Sequence, residues 1–137
     1  MPAWIARILD WRYFAVFARI VLTSPFWING VWRITNMTAS VIEIDQYDLP
    51  QAWLINYFVI FVELGGSLLV VANRRTWSGA GALAIFTLMT ILVAHRFWTL
   101  SGHAAQAEFW IALQHLGLIG GLMLAAILSR QSKYRGA

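Results

Sequence analysis

The chain has 137 residues, of which 60% are hydrophobic and 12% charged, with a net charge of +4 and no cysteine. Soluble domains run near 45–50% apolar and about 25% charged, so this balance assigns a membrane class, with room for a few spanning helices and none for an added soluble catalytic domain. The absence of cysteine removes disulfides, thiolate nucleophiles, iron–sulfur ligation and Cys-based zinc sites, and with them the quinone-linked thiol oxidases built as small helical bundles.

Along the chain, residues 1–12 are expected to form an N-terminal interfacial segment. Trp4, Ile5, Ile8 and Trp11 recur at helical spacing while Arg7 and Asp10 fall elsewhere on the turn, the pattern of a short helix lying in the membrane surface. The segment lacks the basic start and small-residue cleavage site of a secretory signal.

Four apolar runs follow, at about 13–33, 52–72, 77–98 and 109–129, each near the ~20 residues that cross a ~30 Å hydrocarbon core. The expected fold is an all-α four-helix transmembrane bundle over residues 13–129, ending in a basic cytoplasmic tail at 130–137. The connection from Ile34 to Pro50 is too polar to span, and its "EIDQYDLP" end reads as solvated loop or as a docking surface for a partner.

Basic residues set the orientation. Arg7, Arg12, Arg74, Arg75, Arg130, Lys133 and Arg135 share the side of both termini, whereas the other side has Arg33 and Arg96 with Glu43, Asp45, Asp48 and Glu108. The positive-inside rule places both termini in the cytoplasm. These cations sit at the ends of apolar runs, so they act as topology determinants and imply no nucleic-acid partner. Trp11 and Trp77 mark the inner interface, and Trp27, Trp32, Trp53, Trp98 and Trp110 the outer one.

Within the spans, a lone charge at the bilayer centre costs about 2.5–3.5 kcal/mol. Glu63 lies roughly 13 Å deep and Arg19 roughly 9 Å deep at ~1.5 Å per residue, so the two can meet as an ion pair if their helices are neighbours. That pair is either structural or functional. Asn29, His95, Gln114 and His115 form a second polar layer toward the outer side. Ser24 and Pro25 interrupt the first span just below it, where proline frees a carbonyl. His95 reads as a hydrogen-bonding or interfacial residue. Haem is not expected, because His95 and His115 differ in depth and no second pair exists. Gly30, Gly65, Gly66, Gly120 and Gly121, with Gly79, Gly81 and Gly117, permit close helix approach. No nucleophile–base triad, metal-ligand spacing or nucleotide fingerprint is present, so neither a catalytic set nor a metal site is assigned.

The run "ARIVLTSPFWINGVWRI", the "LP" before the second span, "VELGGSLLVVANRRTWSGAGAL" and "QHLGLIGGLML" together resemble the DoxX family of small four-helix membrane proteins, in order and spacing from about Arg19 onward. By position Arg19 matches the family's arginine early in the first helix, Gly30 its small residue, Glu63 its glutamate before the Gly-Gly pair, and Gly120 and Gly121 the last-helix pair. Arg33 stands where the family often has lysine, and His115 where many members have lysine or asparagine. The resemblance implies a bacterial or archaeal inner-membrane location and, for some relatives, a link to quinone-reducing oxidoreductases.

Two functions are expected. One is an accessory or anchoring subunit of a quinone-linked redox complex, not catalytic alone, with Arg19, Glu63, His115, Asn29 and His95 as the polar set for a quinone or a proton, in contact with lipid and a protein partner. The other is a non-catalytic assembly protein in which those groups only hold helices together. Small-molecule transport is a weaker third, since four helices make a thin wall unless the chain forms a homo-oligomer.

Overall fold

The computed structural model describes residues 1–135, so the last two residues of the expected basic tail, Gly136 and Ala137, lie outside the described residues. Six helices follow in order: α1 Ala3–Leu9, α2 Arg12–Thr35, α3 Met37–Asp45, α4 Ala52–Val71, α5 Thr76–Val93 and α6 Gly102–Arg135. No strand forms among the described residues. Four of these helices are long and apolar enough to cross a membrane, the third such span running on from α5 through a short 3₁₀ turn at Phe97–Thr99. Helices are the form such a chain must take, because lipid offers backbone groups no hydrogen-bond partner. The outward surface is correspondingly apolar, with Phe61 76% and Leu68 68% exposed. The chain is a multi-pass membrane protein.

Successive long helices run antiparallel. Gly30 of α2 meets Glu63 and Leu64 of α4, whereas nearer the end of α2 Arg33 meets Asn56, earlier in α4. At one end of the bundle α5 begins at Thr76 beside Ala126 and Ser129 of α6. At the other end His95 meets Glu108. Both termini and the tight α4–α5 turn therefore share one end, and α3 with the α5–α6 connection occupies the other.

The half nearer the termini has a close-packed core. Val70, Leu83 and Leu122 are wholly buried and form a cluster with Phe26 and Ala80. Here α4 and α5 come into backbone contact: a Cβ on Gly79 would lie 2.8 Å from the Gly66 carbonyl oxygen, and one on Gly66 would lie 2.7 Å from Leu83 Cγ. Glycine is required at both, as small residues are where membrane helices approach closely. Gly30 against Leu64 and Gly121 against Leu22 seat α2 in the same way. The expected packing role does not extend to Gly65, Gly81, Gly117 and Gly120, where an added Cβ would meet nothing within 4 Å. Gly65 and Gly66 are adjacent, about 100° apart on the helix, so only one can face the neighbour.

One further expectation needs correction, and two elements show detail that hydropathy did not. Pro25 does not break the first span, since α2 is continuous from Arg12 to Thr35. Proline cannot donate to the carbonyl four residues back, and the Ser24 hydroxyl donates to that oxygen, on Val21, at 2.8 Å. The 34–50 connection is part helix and part turn, its acidic end from Gln46 to Pro50 being turn with Asp48 and Pro50 exposed. It contains α3, whose Ser40 and Ile44 are buried one turn apart, small and apolar groups at i and i+4 that seat the helix across the bundle end. The last long helix begins at Gly102, ahead of the apolar span expected at 109–129, because the "GHAAQAE" stretch is polar yet rich in strong helix formers.

Candidate functional site

The half away from the termini opens into a cavity of about 790 Å³ walled by α2 to α6. Its lining is mostly apolar, contributed by Phe26, Ile44, Val59, Val62, Phe86, Met89 and Leu118 among others. Polar groups interrupt this lining at three places.

The first is Glu63. It is 3% exposed at the centre of α4, and Asn29 Nδ2 donates to both of its oxygens, at 2.8 and 3.1 Å. The expected Arg19 pair does not form. Arg19 stands ten residues before Asn29 on α2, nearly three helical turns further toward the termini at 3.6 residues per turn and outside the cavity lining, and the cation that shares the cavity with Glu63 is Arg33. The reason is register: antiparallel packing that sets Gly30 against Glu63 and Leu64 puts Asn29 alongside the carboxylate and carries Arg19 away from it.

The second is a network around Arg33, which is 7% exposed. Nη1 donates to Asn56 Oδ1 at 3.0 Å and to the Ser40 carbonyl at 3.4 Å, and Nη2 lies 3.1 Å from a Glu43 carboxylate oxygen. Asn56, itself fully buried, donates to the Ser40 hydroxyl at 2.9 Å and to Met37 Sδ at 3.0 Å. These bonds tie α2, α3 and α4 together, while Arg33 Nε is buried without a hydrogen-bond partner. Tyr47, in the turn after α3, lines the same mouth. Burial raises its phenol pKa, with Glu43 and Glu108 adding to the rise, so it stays a neutral hydroxyl that can donate.

The third is a pair of histidines. His95 Nδ1 lies 2.6 Å from Glu108, His115 Nδ1 lies 2.8 Å from the Ile111 carbonyl oxygen, and the two rings are 4.9 Å apart between centroids. His95 lies level with Glu108, and His115 two turns further along α6, yet the two rings reach one another across that step. Gln114 is exposed on another face of α6.

Of the expected polar set, then, Glu63, Asn29, His95 and His115 line one cavity and Arg19 does not. Arg33 and Glu43, expected at the surface as topology charges, belong to it, and Asn56 and Ser40 support them. A signal for these exists in spacing. Asn29 and Arg33 are four apart on α2, and Asn56 and Glu63 seven apart on α4, so each pair shares one helix face. Among the described residues, no group of three or more metal-ligating side chains converges.

A family model described as DoxX matches residues 14–96, from the start of the first span to His95 and Arg96. The inner membrane protein YphA of Escherichia coli (strain K12) is 24% identical over 113 residues, covering 80% of this chain and 79% of that relative. No solved structure matches.

Proposed function

We propose that the chain, which belongs to the DoxX family, serves as an accessory or anchoring subunit of a quinone-linked redox complex, and that its cavity takes the quinone head group. The relative YphA is named as an inner membrane protein, and we place this chain there too, with both termini cytoplasmic according to its Lys and Arg distribution. The cavity then opens toward the outer side.

One observation carries the reading: a mostly apolar cavity of about 790 Å³ has a buried carboxylate–amide pair, an arginine and a histidine pair in its wall. Ligand sites combine an apolar lining with a few placed polar groups. A quinone ring has flat apolar faces and two carbonyl acceptors, and it must gain or lose protons when it changes oxidation state. Asn29 and Arg33 supply donors, and Glu63 and His115 supply groups that exchange protons. In this reading electrons reach the quinone from a partner protein, which makes the role a subunit's.

Mass spectrometry of what co-purifies with the tagged protein from its native membrane in mild detergent, with an absorption spectrum and a quinone extraction of the same sample, tests this. The expected result is a stoichiometric redox protein with quinone in the extract. A colourless protein that emerges alone, free of quinone, overturns the subunit role.

A further inference from the structure

We propose that Glu108, His95 and His115 form a proton relay that connects the cavity to the solvent at the end of the bundle away from the termini. The inference deepens the quinone reading and rests on it for the identity of the proton's final acceptor.

The hydrogen bonds fix which nitrogens are available. The Ile111 carbonyl accepts and has no proton to give, so at 2.8 Å its partner His115 Nδ1 must carry the hydrogen. In neutral His115 this leaves Nε2 unprotonated, as the ring's one exchangeable site. His95 Nδ1 is held by Glu108 at 2.6 Å, so its Nε2 is likewise the nitrogen free to meet another group. The ring centroids are 4.9 Å apart and the rings are tilted by 52°, with no direct hydrogen bond between them, so one water between their free nitrogens completes the link.

The three groups also form a graded path. The Glu108 side chain is 31% exposed and that of His95 21%, and both histidines line the cavity that holds Glu63. A proton leaving the cavity binds His115 Nε2 and passes through the bridging water to His95 Nε2. The imidazolium formed there is neutralised by the Glu108 carboxylate, takes its Nδ1 hydrogen to that carboxylate and so to water. The reverse order carries a proton inward. The other charged or titratable groups in the cavity wall are Glu63 from α4, Arg33 from α2, and Glu43 and Tyr47 from α3 and the turn after it. None of these is hydrogen-bonded to either imidazole.

The relay predicts coupled titration. Nuclear magnetic resonance of protein labelled with ¹⁵N-histidine, in lipid nanodiscs, should show neutral His115 as the Nδ1–H tautomer and should show His95 and His115 titrating in two linked steps. Glu108→Gln should displace both transitions. Independent titration of the two rings, or a His115 transition indifferent to Glu108→Gln, overturns the relay whether or not a quinone binds.

A kinetic experiment tests its function. A short-chain quinone bound to the nanodisc protein is reduced by dithionite, which gives two electrons while the quinone takes up two protons to become the quinol. Quinol formation is followed by ultraviolet absorbance. In Glu108→Gln the amount of quinone bound should equal that of the wild type, while the rate of quinol formation should fall at least tenfold and recover with added formate. An unchanged rate with quinone bound overturns the relay. Failure of the wild type to bind quinone overturns the quinone reading instead, and leaves the titration experiment to decide the relay.

Discussion

The two halves of the bundle treat polar groups and space in opposite ways. Toward the termini, α4 and α5 touch backbone to backbone at Gly66 and Gly79, and Val70, Leu83 and Leu122 are fully buried. Threonine hydroxyls within the bundle bond their own helices there and nearby, as Thr23 does to the Arg19 carbonyl at 2.8 Å and Thr87 to that of Leu83 at 2.7 Å. Toward the other end the helices part around a cavity of about 790 Å³, and Glu63, Arg33, Asn56 and His115 point inward. Close packing is available to any apolar helices with small residues at the seam. Polar groups in a membrane interior cost free energy. The buried polar side chains nearer the termini are the hydroxyls of Thr23, Ser67, Thr76 and Ser129, whereas the charged Glu63 and Arg33 and the amide of Asn56 are buried in the open half, which marks that half as the region given over to function.

Substitutions can break this contrast, beginning in the close-packed half. Gly66→Leu drives side-chain atoms into Leu83 and toward the Gly79 carbonyl, and should cost about 3 kcal/mol, the upper range of overpacking, measured by unfolding the protein from mixed micelles with rising denaturing detergent. Arg33→Ala leaves Asn56 Oδ1 and the Ser40 carbonyl without their donor and should cost about 2 kcal/mol in the same assay. Combined with Asn56→Ala, its loss should be smaller than the sum, because the two residues share one network. Glu63→Gln should change stability by less than ~1 kcal/mol, since an amide oxygen still accepts from Asn29. Its effect should fall on ligand affinity, a tenfold or greater weakening of quinone binding, or about 1.4 kcal/mol, read by quenching of intrinsic tryptophan fluorescence.

The smallest effect sharpens the comparison most finely. Gly65→Ala, one residue from Gly66, meets nothing and should stabilise by about 0.5–1 kcal/mol through helix propensity alone.

How much of this was readable beforehand follows from what hydropathy measures. Length and apolarity suffice to place the four spans, because a bilayer admits only helices of that kind, and the ordered motifs suffice to name the family. Side-chain partners depend on register between helices, which hydropathy does not carry. Glu63 was placed correctly inside the bundle, yet its partner proved to be Asn29 because Gly30 against Leu64 sets where α2 meets α4. Arg33 looked like a boundary charge because positive-inside counting treats every end-of-span cation alike, and its burial became visible only once α3 was seen to fold over it. The histidine contact depends on the register between α5 and α6 that sets His95 beside Glu108, which hydropathy does not carry either.

The central claim, that the open half holds a quinone, is tested most directly by photo-crosslinking with an azido-quinone in native membranes, followed by peptide mass spectrometry. The account predicts label on cavity-lining residues such as Val59, Val62, Phe86 and Thr90, abolished by excess unlabelled quinone. Label that is confined to lipid-facing positions such as Phe61 and Leu68, and that unlabelled quinone does not displace, would contradict it.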